Sequence, residues 1–114
     1  MRRLFGLLIA GAAAGVFLMA GAATAVDSTP EIPLTIEKSQ FQPAEVKVKA
    51  NTPFVLVITN KNPKAAEFES KDLRVEKVVP AGKTVNVRVR ALKPGTYAFF
   101  DDFNQQTTGR IVAE

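Results

Sequence analysis

Two pairs of carboxylates are the residues best placed to do chemistry. Glu67 and Glu69 stand two apart in Ala66-Glu67-Phe68-Glu69-Ser70. In an extended chain such a pair shares one face, about 7 Å apart. Asp101 and Asp102 follow the aromatic run Tyr97-Ala98-Phe99-Phe100, with Asn104, Gln105 and Gln106 just beyond. Carboxylates are hard oxygen donors, and they suit iron, manganese or calcium better than copper(I). Crowded carboxylates repel one another, which raises the pKa of some and favours a neutralising cation. The chain contains no Cys and no His. It therefore lacks the commonest general base and the commonest transition-metal ligand. No familiar nucleophile–base pair can be assembled, so an enzyme is the weakest functional class, and a carboxylate ferroxidase is its one conceivable form.

Each pair also has a plainer reading. Glu67 and Glu69 can be the solvent face of an edge strand built around Phe68, where charge blocks edge-to-edge association. Asp101 and Asp102 can be turn residues that accept backbone N–H bonds. Lys61, Lys64 and Lys71 flank the acidic residues and can form weak surface pairs with them.

The elements that must position these residues are short strands. Glu31-Ile32-Pro33-Leu34-Thr35-Ile36-Glu37 alternates apolar and polar, and Pro33 predicts an edge strand or a bulge. Phe41-Gln42-Pro43 reads as a turn carrying a core aromatic. Glu45-Val46-Lys47-Val48-Lys49 alternates strictly, with the valines inward. Residues 54–59 form a continuous apolar strand, expected to be central and buried on both faces, and residues 60–64 read as a loop. Residues 66–70 and 75–79 are two further strands, separated at residues 71–74 by a turn or one helical turn. Thr84-Val85-Asn86-Val87-Arg88-Val89-Arg90 is the clearest strand, with three valines on one side. Leu92-Lys93-Pro94-Gly95-Thr96-Tyr97 has the form of a tyrosine corner, in which a buried hydroxyl bonds to backbone upstream. Strands this short at this spacing, without a helical period, predict an all-β antiparallel Greek-key sandwich of seven to eight strands.

The start of the chain predicts export. Arg2 and Arg3 precede an uncharged apolar stretch over residues 4–20, and Ala23-Thr24-Ala25 is a small-x-small cleavage site. Residues 1–25 are expected to be a signal peptide and residues 26–114 one small domain, soluble and periplasmic. An uncleaved membrane anchor is the alternative. Of the 15 basic residues, Arg2 and Arg3 belong to the leader, so the domain is nearly balanced against 11 acidic residues. No concentrated basic patch is evident, and nucleic acid is not an expected partner.

The order Phe41-x-Pro43, Glu45-Val46-x-Val48-x-Ala50-x-Thr52-Pro53-Phe54, Asn60, Glu67-Phe68, Val79-Pro80-Ala81-Gly82, Pro94-Gly95-x-Tyr97-x-Phe99 and Gly109-x-Ile111-Val112 resembles the cupredoxin fold. The resemblance covers nearly all of residues 26–114. It is closest to the small periplasmic cupredoxin-like proteins associated with bacterial ferrous-iron uptake, where segments like Glu67-Phe68-Glu69-Ser70 and Phe99-Phe100-Asp101-Asp102 recur. In a blue-copper member, a Cys, a His and a Met would fall at Asp101, at Asn104 and near Thr107, and a second His at Glu67. Blue copper needs a thiolate and two imidazoles, so this centre is excluded. The resemblance implies that both acidic segments lie at one end of the sandwich, where Glu67, Glu69, Asp101 and Asp102 are expected to converge. It implies a metal-binding protein holding an iron or copper ion, an accessory of iron (or copper) uptake, with a membrane iron permease or its periplasmic components as partner. The alternative is a metal-free interaction module of the same fold that docks to a membrane or periplasmic partner.

Overall fold

The computed structural model describes residues 28–114, and the expected signal peptide lies outside them. Nine strands follow in chain order: β1 (Glu31–Glu37), β2 (Gln40–Gln42), β3 (Glu45–Val48), β4 (Phe54–Asn60), β5 (Ala66–Ser70), β6 (Val75–Val79), β7 (Thr84–Val89), β8 (Gly95–Asp101) and β9 (Asn104–Ala113). They form a four-stranded sheet in the order β2-β1-β4-β7 and a five-stranded sheet in the order β3-β9-β8-β5-β6. The all-β sandwich is as expected. The ninth strand is the short β2, read from the sequence as a turn because only three residues separate Ser39 from Pro43.

Two pairings, β1 with β4 and β3 with β9, run parallel. The chain leaves the first sheet after β2, crosses to the second for β3 and returns for β4. Such arches bring strands side by side without a hairpin, so parallel neighbours arise. Pro33 tolerates its place because β2 pairs only with residues 35–37 of β1, which leaves β1 a single neighbour, β4, at Pro33. That half of the strand is an edge, where a missing N–H is harmless.

The alternating residues of both sheets meet in one apolar layer. Leu34, Ile36, Leu56, Ile58 and Val89 face Val46, Phe68, Phe99 and Ile111 across the sandwich. Val87 and Val89 are buried as predicted, and Val85 is half-buried. Phe41 packs edge-on against Phe99 at 4.8 Å and against Phe68 at 6.3 Å, while Phe68 and Phe99 lie 5.1 Å apart. Such aromatic pairs add roughly 0.5–1.5 kcal/mol each beyond area burial. Gly109 makes room for the trio: a Cβ there would lie 2.5 Å from the Phe99 ring and 2.9 Å from the Ala44 carbonyl oxygen.

Three sequence expectations change. Asn60 is the last residue of β4 and fully buried, where the sequence reading begins a loop. Its amide nitrogen donates to the Lys64 and Val79 carbonyls at 2.8 and 2.9 Å, and its Oδ1 accepts the Asn62 N–H at 2.9 Å. Its side chain thus closes the loop that leads into β5. Secondly, β5 is not an edge strand, because it lies between β8 and β6. Thirdly, the tyrosine corner forms without a buried hydroxyl. The Tyr97 hydroxyl donates to the Lys93 carbonyl at 2.7 Å, but the bond faces solvent.

Candidate functional site

The inner position of β5 decides where its acidic residues go. Ala66, Phe68 and Ser70 point into the sandwich, so Glu67 and Glu69 lie half-buried on the outer face of the five-stranded sheet. The turn at residues 71–74 then folds β6 back against β5. Its geometry is pinned to β8: the Ala98 N–H donates to Asp72 Oδ2 at 3.0 Å, and the Ser70 hydroxyl donates to the Ala98 carbonyl at 2.7 Å. Arg90 Nη1 donates to the Leu73 carbonyl at 3.1 Å. This register sets Glu69 directly opposite Glu76.

Glu67, Glu69 and Glu76 each bring a carboxylate oxygen to within 4.8 Å of the other two. Oxygens so spaced can be bridged by one cation whose metal–oxygen bonds are about 2.0–2.6 Å. Electrostatics records the crowding. The Glu67 carboxyl is pushed above its ordinary range, first by desolvation, then by the Glu76 charge, by a hydrogen bond and charge from Asp102, and by Glu69. The Glu69 carboxyl is also pushed up, by desolvation, Asp102 and Glu76, against a lowering by Lys71. Both shifts favour a neutralising partner.

Asp102 joins this group. Its N–H donates to the Glu67 carbonyl at 2.8 Å, and its Oδ1 accepts from Gln105 Nε2 at 2.8 Å. Asp101 does not join it. Asp101 is 4% exposed, and its Oδ1 accepts the N–H of Glu67 at 2.9 Å and that of Phe103 at 3.0 Å. The reason is strand parity: Asp101 falls on the buried side of β8 with Phe99, whereas Glu67 and Glu69 fall on the outer side of β5. Of the four carboxylates expected to converge, the structure sets Glu67 and Glu69 together with Asp102 as an electrostatic neighbour, and turns Asp101 inward. Glu76 takes the remaining place. Sequence reasoning missed it, although a hairpin with a four-residue turn pairs Glu69 with Glu76 by counting outward from residues 70 and 75.

A family model described as the Cupredoxin-like domain matches residues 8–113. The chain belongs to the cupredoxin-like domain family. An uncharacterized protein of Rickettsia prowazekii (strain Madrid E) is 40% identical over 86 residues, which span 75% of this chain and 69% of that protein. Among solved structures, the metal binding domain of the Streptococcus pneumoniae D39 Cu(I)-exporting P-type ATPase CopA superposes with a TM-score of 0.69 at 13% identity, over 78% of this chain and 90% of that one. Auracyanin A, a blue copper protein of Chloroflexus aurantiacus, gives a TM-score of 0.63 at 14% identity, over 74% and 98%. At such identities these likenesses carry the fold alone.

A blue-copper centre does not fit this cupredoxin-like domain, since the chain has neither Cys nor His. At the positions where the resemblance places copper ligands, Asp101 is engaged by two N–H groups, and Asn104 Nδ2 donates to Ser39 Oγ at 2.9 Å. Thr107 is buried, and its hydroxyl has no hydrogen-bond partner among the described residues. A groove of about 420 Å³ opens beside them, lined by Lys38, Ser39, Lys64, Asp101, Phe103 and Asn104. Its two lysines make it unlike the acidic face of β5 and β6.

Proposed function

We propose that this cupredoxin-like domain binds a hard metal cation on the outer face of its five-stranded sheet, through Glu67, Glu69 and Glu76 with Asp102 alongside. The observation that carries the reading is the meeting of three carboxylate oxygens within 4.8 Å. The raised Glu67 and Glu69 carboxyls support it: desolvation is the first cause, and the neighbouring carboxylate charges that add to it are ones a cation would offset. The cation is iron, with copper(II) as second choice; an all-oxygen set suits neither copper(I) nor redox tuning by sulfur. A half-exposed oxygen site releases its ion readily. The domain would act in the periplasm, after removal of residues 1–25, and pass the ion to a membrane iron permease or its periplasmic components.

Isothermal titration of the purified chain with iron(II) under anaerobic conditions, and with iron(III), copper(II), manganese(II) and calcium, tests this. Binding at about micromolar affinity is expected. Glu69→Gln is expected to weaken it by about tenfold or more, since affinity follows ligand charge. Absence of binding by every ion would leave the second reading, a metal-free docking module. Phe103, which is 56% exposed at the tip of the β8–β9 turn, favours that reading.

A further inference from the structure

Glu67 is held at both of its backbone groups by the turn that ends β8. β5 and β8 pair at Phe68 with Asp101 and at Glu69 with Phe100. Beyond that point β8 turns away, and the ladder would leave the Glu67 N–H without a carbonyl to receive it. The Asp101 side chain takes the place of the missing carbonyl, at 2.9 Å. The same oxygen accepts the Phe103 N–H at 3.0 Å, which fixes the turn two residues on. Between them, the Asp102 N–H donates to the Glu67 carbonyl at 2.8 Å. The buried Asp101 carboxylate therefore ties the backbone of Glu67 to the backbone on either side of Asp102.

We propose that Asp101 is the positioning residue of the acidic face: by accepting the Glu67 and Phe103 N–H groups through one oxygen, it holds the Glu67 and Asp102 carboxylates side by side without itself meeting the cation. This rests on the cation-binding reading for its consequence and on hydrogen-bond geometry for its substance. A charged acceptor of two N–H groups is a strong anchor. An asparagine at the same place keeps an oxygen acceptor and loses the charge, and an alanine loses both. Outer partners of this kind typically change metal affinity by about 10–100-fold when removed.

The test compares Asp101→Asn and Asp101→Ala with the parent protein by two readouts. The first, without metal, follows the hydrogen exchange of the Glu67 and Phe103 amides by NMR. The second is manganese(II) titration calorimetry. In Asp101→Asn both amides stay hydrogen-bonded and affinity falls by less than about tenfold, as expected of an intact anchor. In Asp101→Ala both amides lose their protection from exchange and affinity falls about tenfold or more. Asp101→Ala matching the parent in both readouts would overturn the proposal, as would Asp101→Asn losing affinity as severely as a ligand replacement. If Asp101→Ala does not fold, Asp101→Asn decides alone: exchange of either amide becoming fast while affinity stays at the parent value would overturn the proposal. If the parent binds no manganese while the amides behave as stated, the cation reading falls and the positioning role stands.

Discussion

At the scale of single residues, Glu67 and Glu69 bind protons more tightly than ordinary glutamates do. Their carboxyls are raised above the ordinary glutamate range by desolvation and by each other's neighbours. A raised carboxyl binds its proton more tightly in the folded chain than in the unfolded one. Its stabilising contribution is complete below the ordinary glutamate value and is lost as pH rises through the raised one. Thermal unfolding without metal, followed from about pH 4 to about pH 7, is expected to show a smaller loss of midpoint in Glu69→Gln than in the parent. An identical pH dependence would mean that the repulsion is relieved by solvent. Cation affinity moves the other way, falling as the solution is acidified and protons reclaim the site. Asn60 makes a separate prediction. Its buried amide serves the Lys64 and Val79 carbonyls and the Asn62 N–H. Asn60→Ala strands the Val79 carbonyl in the interior and is expected to cost about 1–3 kcal/mol by denaturant unfolding. A loss of a few tenths would show that the loop after β4 closes without it.

At the scale of elements, the β5–β6 hairpin creates the acidic face, and Gly109 on β9 lets the sheet beside it pack. The Phe99 ring occupies the space that a Gly109 Cβ would fill. Gly109→Ala is therefore expected to destabilise by about 1–3 kcal/mol in chemical denaturation, through displacement of the aromatic trio. Unchanged stability would show that Phe99 has room to move. The strands themselves were legible wherever one face is apolar, because Val46 and Val48 or Val87 and Val89 repeat at the strand period. Both parallel pairings were not, since periodicity describes a strand and not its neighbours. The central place of β5 was hidden for the same reason: its alternation is equally that of an edge. Glu67, Glu69 and Asp102 were legible as acidic residues in short strand and turn segments. Asp101 was read with them because adjacent aspartates look alike in sequence, whereas the pleat sends one inward and the next outward. Glu76 escaped notice because it becomes a neighbour of Glu69 only through the hairpin register.

At the scale of the whole molecule, a cupredoxin-like sandwich is kept without the side chains that hold blue copper. Its loop end is closed by hydrogen bonds that the Asp101 carboxylate accepts and the Asn104 amide donates. Its acidic group lies instead on the outer face of a sheet, along β5 and β6 and beside the end of β8. The domain carries nearly equal numbers of basic and acidic residues, so this local concentration of carboxylates is a feature of arrangement and not of composition. A cation held there would be reached from solvent directly, which suits transfer to a partner better than long retention. The decisive measurement is an anaerobic iron(II) titration of the parent protein beside Glu76→Gln, a variant chosen because Glu76 is exposed on the outermost strand and its loss spares the core. One ion is expected to bind the parent at about micromolar affinity, and to bind Glu76→Gln at least about tenfold more weakly. Equal affinity in the two proteins, or no binding in either, would contradict the cation-binding reading.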